Sequence, residues 1–253
     1  MSLEQRYSAV VEYDGTEFYG FQLQAQARTV QGEIEKCLKQ VTQCTIRISA
    51  AGRTDAGVHA TGQVVAFNVA WKHSLADLQR AINANLPADI VFSELKWVST
   101  PDFHPRFSAI SRTYQYHILN QPWPSAIQRR YAYHVDRPLN VNLMRQASQL
   151  LVGSRDFASF GKPPQGSNTV RQITEVDWQI KGDGHLIFRI TANAFLYRMV
   201  RKIVATLVQV GLGTIPLASL VEILEARDLN SSAPPAPACG LYLVKVTYPE
   251  NLR

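Results

Sequence analysis

Apolar and polar positions alternate from Tyr7 to Tyr13, a strand pattern that stops at the Asp14-Gly15 turn signal. Val30, Ile34, Cys37, Leu38 and Val41 then recur at helical spacing. Thr45 to Ala51 and Gln63 to Val69 read as strands, Leu75, Leu78 and Ile82 mark a second helix closed by Pro87, and Ile90 to Val98 reads as another strand. The order is β-α-β-β-α-β. From about Ser111 it repeats, with a strand to Leu119, a helix through Leu143, Ala147, Leu150 and Leu151, and strands at Gln172 to Ile180 and His185 to Ala192. Gly182-Asp183-Gly184 supplies the hairpin turn between the last two. An apolar helix from about Leu196 to Val210 follows, then an extra helix after Pro216, a Pro-rich loop at Ser231 to Pro237 and a final strand through Leu241 to Tyr248.

The pattern predicts an α+β fold of two tandem ferredoxin-like halves with antiparallel sheets. The segment Pro101 to Pro105 is the expected boundary, giving an N-terminal domain at 1–105 and a C-terminal domain with the extra helix at 106–253. Sheets of this kind can bind RNA on an open face, but the chain has no RNP1-like pattern of Gly and alternating aromatics. Fold alone therefore does not assign a function.

Charge narrows the class of partner. The formal net charge is +6, and 18 of the 26 basic residues are Arg, whose planar fork binds phosphate bidentately and stacks on bases. An anionic partner such as nucleic acid fits that surplus. Cys37, Cys44 and Cys239 form no CxxC pair and have no His at zinc spacing, so neither a metal site nor a disulfide framework is signalled. Glu4 and Arg6 precede only a short apolar stretch, and no uncharged apolar run is long enough to span a bilayer. The expectation is a cytoplasmic protein with no membrane partner.

One stretch stands out chemically. Ala51-Gly52-Arg53-Thr54-Asp55-Ala56-Gly57-Val58-His59-Ala60 interrupts two strands with two glycines and a charged pair. The glycines suggest a phosphate-cradling loop, but Val58 and His59 stand where a P-loop needs Lys and Ser or Thr, so nucleotide hydrolysis is poorly supported. Taken alone, the segment reads as a tight inter-strand loop in which Asp55 accepts backbone hydrogen bonds.

The run GRTDAGVHATGQV resembles the signature of the TruA family of tRNA pseudouridine synthases, in which the Asp of GRTD is the catalytic nucleophile. Collinear stretches agree: Glu12-Tyr13-Asp14-Gly15-Thr16, Asn83-Ala84-Asn85-Leu86-Pro87, Asp102-Phe103-His104-Pro105-Arg106-Phe107-Ser108-Ala109 and Gly240-Leu241-Tyr242-Leu243. The resemblance spans essentially the whole chain. It implies that Asp55 is the nucleophile, that Tyr114 of Ser111-Arg112-Thr113-Tyr114-Gln115-Tyr116 stacks on the target uracil, and that Arg201 pairs with the catalytic Asp. It also implies a homodimer acting on the anticodon stem-loop of tRNA at positions 38 to 40, with two halves flanking a basic cleft that holds Asp55.

The residues themselves leave alternatives. Tyr114 and Tyr116 share a strand face, so periodicity does not say which meets substrate, and Arg198 with Arg201 reads equally as a polar stripe on an apolar helix. The reaction moves C1′ of the ribose from N1 to C5 of the same uracil, with no redox change and no group donor, so no cofactor is expected. A carboxylate serves it by attack at C1′, by attack at C6, or by stabilising charge while a ribose proton leaves. An adjacent Arg53 or Arg201 would favour the ionised carboxylate. Arg129-Arg130 and Arg198 with Lys202 are candidates for contacts to the RNA backbone. A non-catalytic RNA-binding or RNA-chaperone module on the same fold is the competing reading, which the joint presence of Asp55, Tyr114 and Arg201 disfavours.

Overall fold

A computed structural model of the chain describes residues 4–100 and 102–250; Pro101, in the expected boundary segment, lies outside the described residues. In chain order the elements are β1 (Gln5–Tyr13), α1 (Val30–Thr42), β2 (Ser49–Ala50), β3 (His59–Val69), α2 (Leu75–Asn85) and β4 (Ile90–Trp97). Then come β5 (Ser111–Asn120), β6 (Tyr133–Val135), α3 (Val141–Gln149), β7 (Gly153–Asp156), β8 (Val170–Ile180), β9 (His185–Ala192), α4 (Met199–Gly211), α5 (Ser219–Ala226) and β10 (Leu241–Thr247). They group into two compact units, 1–110 with 242–253 and 111–241. Both mix helices with a mostly antiparallel sheet.

In the first unit the strand order is β4-β1-β3-β10, with β2 also paired to β3. β1 is antiparallel to both β3 and β4, whereas β10 joins β3 in parallel through Tyr242 opposite His59 and Leu243 opposite Ala60. The last strand, which periodicity assigned to the second half, thus completes the first sheet. Gly62 allows this approach, because a Cβ there would lie 2.2 Å from the Val244 carbonyl oxygen. Partner choice is a long-range property that an alternation pattern does not encode.

The helices of this unit form for local reasons. Thr29 caps α1 by accepting from Gly32 N–H, and Ser74 with Asp77 makes a reciprocal capping box at α2. Ile34 and Leu38 of α1 and Leu78 and Ile82 of α2 are fully buried, each contributing about 1.5–3 kcal/mol of transfer free energy. A second core of Ala51, Val64, Ala66, Phe103 and Tyr248 is closed by the Tyr248 hydroxyl, which donates to the Pro105 carbonyl at 2.8 Å.

The expected strand Thr45 to Ala51 shrinks to two residues. Its alternation was correct, since Ile46 and Ile48 are buried, but Ile48 N–H donates to the Glu35 carboxylate instead of a neighbouring strand. Hydrophobic patterning reports burial, and a side chain here replaces the ladder partner.

The second unit runs β5-β9-β8-β7, with the short β6 added in parallel to β5. Leu186, Phe188, Ile190 and Ala192 of β9 are buried, as the two-residue period requires. The β8–β9 hairpin turns at Asp183 and Gly184, both with positive φ (57° and 71°), as the Gly-Asp-Gly sequence foretold. α3 and α4 pack so closely at Gly211 that a Cβ would lie 2.5 Å from the Met144 sulfur. β6 and β7 were not anticipated. They are three and four residues long, and Gly153-Ser154-Arg155-Asp156 offers no apolar residue from which to read a period.

Candidate active site

Gly52 to Val58 leaves the sheet between β2 and β3 as an irregular loop. Its backbone is held at almost every step. Gln63, fully buried on β3, donates from its amide to the Gly52 carbonyl at 2.9 Å. The Thr54 hydroxyl meets the buried Tyr13 hydroxyl at 2.8 Å, and the Thr54 carbonyl accepts from Phe21 N–H at 3.1 Å. Gly57 N–H donates to the Phe18 carbonyl, and Val58 N–H to the Asp55 carbonyl, closing a turn in which Gly57 supplies a φ of 77°. Within this framework Thr54 is buried, Asp55 is half-buried and Arg53 is exposed.

The loop following β1 forms the other half of the clamp. Gly15 packs on Val58 so tightly that a Cβ would stand 2.0 Å from its carbonyl oxygen. Gly20, with φ +90°, passes the Thr54 carbonyl at a distance that leaves no room for a side chain. His59 is buried, stacks on Tyr242 with centroids 4.6 Å apart, and accepts Gly15 N–H at Nδ1. Arg28 fixes the far end of this loop by a two-pronged bond to Asp89, at 2.7 and 3.0 Å, while lying over the Phe18 ring.

Burial drives the Tyr13 hydroxyl pKa up to about 12, partly offset by its hydrogen bonds with Thr54 and Gln63. The phenol is therefore neutral and serves as a fixed hydrogen-bonding post. In the sequence Tyr13, Gly15 and Gln63 stand out only as members of motifs, with no supporting role legible for any of them. An uncharged Gln directly before the apolar run Val64-Val65-Ala66-Phe67 was the available signal, since a buried amide must find partners.

Tyr114 and Arg201 belong to the second unit. Tyr114 and Tyr116 pair with Ile190 and Phe188 respectively and share a face of β5, as periodicity required. They differ in access. Tyr116 is fully buried and donates its hydroxyl to the Pro237 carbonyl at 2.7 Å, whereas Tyr114 is half-buried and meets Phe195 edge-on at 5.1 Å. Of the two, Tyr114 retains an approachable ring. Desolvation holds the Tyr116 pKa well above the ordinary tyrosine value, with Arg201 pulling in the opposite direction.

Arg201 lies in the first turn of α4, where Nε donates to the Ala236 carbonyl at 2.7 Å and its own carbonyl accepts Ala236 N–H at 3.1 Å. The Pro-rich loop is thus fastened to the helix and fixes the guanidinium. Lys202 is committed to the same loop, donating to the Leu229 carbonyl and the Ser232 hydroxyl. Burial lowers its pKa, with Asp228 opposing the shift. α4 begins three residues later than expected because Arg198 adopts a left-handed φ of 61°, an uncommon conformation for a residue other than Gly. Arg198 instead stacks on Tyr197, 4.8 Å from the ring centroid. The anticipated Arg198–Arg201 stripe is therefore two separately fixed cations.

Among the described residues no group of three or more His, Cys, Asp or Glu is placed to hold a metal ion, and no helix is long and apolar enough to cross a membrane. The three cysteines are unbridged.

A family model described as tRNA pseudouridine synthase matches residues 9–108 and 147–249. The chain is 43% identical over 246 residues to a Thermotoga protein named tRNA pseudouridine synthase A, covering 96% of this chain and all of that one. Proteins of the same name from Shewanella amazonensis and Aeromonas hydrophila are 42% and 41% identical, covering 97% and 98% of this chain and 94% and 91% of theirs.

Proposed function

Because the chain belongs to the tRNA pseudouridine synthase family, we propose that it isomerises uridine to pseudouridine in transfer RNA with Asp55 as the reacting carboxylate. The observation that carries the assignment of Asp55 is local. It is the half-exposed acid of a loop held by Gln63, Phe18 and Phe21 at its backbone and by Tyr13 at the Thr54 hydroxyl, so the carboxylate is presented from a rigid base. Fixed placement of a reacting group is worth several kcal/mol of barrier because its orientation has already been set by folding.

The reaction breaks the bond from C1′ to N1 of uracil, rotates the base and joins C1′ to C5. The proton leaving C5 is balanced by the one gained at N1, so no co-reactant is consumed. An ionised Asp55 serves whether it attacks C1′, attacks C6 or stabilises charge while a ribose proton departs. Arg53 from the same loop, or Arg201 held by Ala236, supplies the positive charge that orients it. Tyr114 offers its ring as the stacking surface for the uracil. Extruding a base costs a few kcal/mol and stacking returns about 1–3 kcal/mol, so contacts along the RNA backbone supply the remaining binding energy.

In finer detail each half is a ferredoxin-like unit, with the catalytic loop in the first and the extra helix in the second. The substrate site is the anticodon stem-loop at positions 38 to 40, the working form is a homodimer, and the compartment is the cytoplasm. Incubating purified protein with unmodified tRNA transcripts and mapping pseudouridine by its chemical adducts tests activity and position together. Pseudouridine is expected within the anticodon stem-loop. Its absence from every transcript would remove the enzymatic reading in favour of an RNA-binding module.

A further inference from the structure

The connection from β5 to β6 displays an apolar and cationic set that the site above does not use. Trp123 is 79% exposed and Ile127 83%. Arg129 and Arg130 are exposed on the short 3-10 turn that follows. Large apolar groups this open, grouped within a few residues, mark an interaction surface more often than chance.

The segment is built to hold its shape. Ser125 accepts Gln128 N–H at its hydroxyl and Arg129 N–H at its carbonyl, and the Gln128 carbonyl accepts from both Tyr131 and Ala132. At the base, the Asn120 amide donates to the Val135 and Arg137 carbonyls, and the His134 ring nitrogen lies 2.8 Å from the Gln121 carbonyl. Gln121 donates to the Trp123 carbonyl at 2.7 Å, and Pro122 and Pro124 restrict the backbone on either side of the indole. A displayed, stiffened tryptophan loses little conformational freedom when it stacks on another ring.

Charge selects the partner. From Phe103 to Val135 the chain contains four arginines, at 106, 112, 129 and 130, and no acidic residue. Aromatic side chains interleaved with cations and free of carboxylates are the composition that grips unpaired nucleic acid, rings stacking on bases and guanidiniums holding phosphates.

We propose that residues 121–131 form an RNA-contact arm, in which Trp123 stacks on an unpaired base and Arg129 and Arg130 bind the flanking phosphates. The identity of the RNA as tRNA rests on the functional reading above; the contact chemistry does not.

The test measures affinity of an unmodified tRNA transcript for the full-length wild type, Trp123→Ala, Trp123→Phe and the double variant Arg129→Ala/Arg130→Ala, across a salt series. Trp123→Ala is expected to weaken binding about 5- to 100-fold, with Trp123→Phe retaining most of the affinity. The double arginine variant is expected to make the slope of log K against log salt shallower by about 1.5–2, as loss of two phosphate contacts requires. All variants should melt near the wild type, since the altered side chains are exposed. Unchanged affinity and slope in folded variants would overturn the proposal. So would a Trp123→Ala protein that loses self-association in sedimentation while keeping its RNA affinity, since that result assigns the arm to contact between protein chains. Pseudouridine formation by the wild type is scored in parallel, so a protein that binds through the arm without isomerising uridine fails the catalytic reading alone.

Discussion

The hydroxyls of Tyr13 and Thr54 lie 2.8 Å apart, buried inside the first unit. Tyr13 ends β1 and Thr54 precedes Asp55 by one residue, so this bond ties the strand to the loop that carries the proposed reacting group. Tyr13→Phe keeps the ring and removes only the hydroxyl. Loss of its buried hydrogen bonds with Thr54 and Gln63 should cost about 1–3 kcal/mol of stability. Turnover should fall through kcat while tRNA affinity changes little, because the loop shifts without losing an RNA-binding group. Steady-state kinetics beside a denaturant melt checks this, and unchanged kcat in a destabilised protein would confine Tyr13 to the core.

The same tyrosine sets an alkaline limit. Its pKa is about 12 in the fold, chiefly from burial, against an ordinary value of 10.0. Between those values the unfolded chain has released the proton and the folded chain still holds it, so stability falls as pH rises. Below pH 10 the contribution is fully present. The total lost by pH 12 from this one group is about 2–3 kcal/mol. Tyr116 and Tyr7 are shifted in the same direction by burial and steepen the fall. Urea midpoints measured from pH 9 to 12 should show a shallower decline in Tyr13→Phe than in the wild type. Parallel curves would place the alkaline sensitivity elsewhere.

Tyr114 separates ring from hydroxyl. Its ring is half-buried and stands perpendicular to Phe195, with centroids 5.1 Å apart. Tyr114→Phe should retain most RNA affinity, whereas Tyr114→Ala should lose about 1–3 kcal/mol of stacking in the reacting complex, seen as a reduced kcat/KM. Equal rates for wild type and Tyr114→Ala would end the stacking assignment. A severe defect confined to Tyr114→Phe would make the hydroxyl a proton-transfer group.

These residues also show what the chain reveals before folding. The β8–β9 hairpin was legible to the residue because its turn chemistry is local, in a Gly-Asp-Gly that accepts positive φ. Tyr114 and Tyr116 were legible as sharing a face, but not as exposed and buried, since Pro237 closes over Tyr116 from 121 residues away. Gln63 holds Gly52 from 11 residues away, and Tyr13 holds Thr54 from 41, so the support of the Asp55 loop lay beyond any window of periodicity. Motif resemblance pointed to the Asp55 carboxylate. The residues that support it emerge only when distant segments meet, which is why Gln63 and Tyr13 were quoted in motifs without a role.

Asp55→Asn addresses the reaction itself. Asn has nearly the volume of Asp and keeps an acceptor oxygen, and the loop beneath it is held through backbone atoms of Gly52, Thr54, Gly57 and Val58. Packing and thermal stability should therefore stay close to wild type. What disappears is the anionic oxygen, and a neutral amide is a poor nucleophile on any of the three routes. Pseudouridine formation should fall by several orders of magnitude, through kcat, with tRNA binding retained. Removing a negative charge from a protein of net charge +6 should, if anything, tighten the complex slightly by easing repulsion of phosphate. Pseudouridine yield, tRNA affinity and unfolding temperature, measured in one buffer at one salt concentration, decide the matter together. A folded Asp55→Asn protein that turns over near the wild-type rate would displace Asp55 as the reacting group, whereas loss of binding in step with activity would make its carboxylate a structural element of the RNA site.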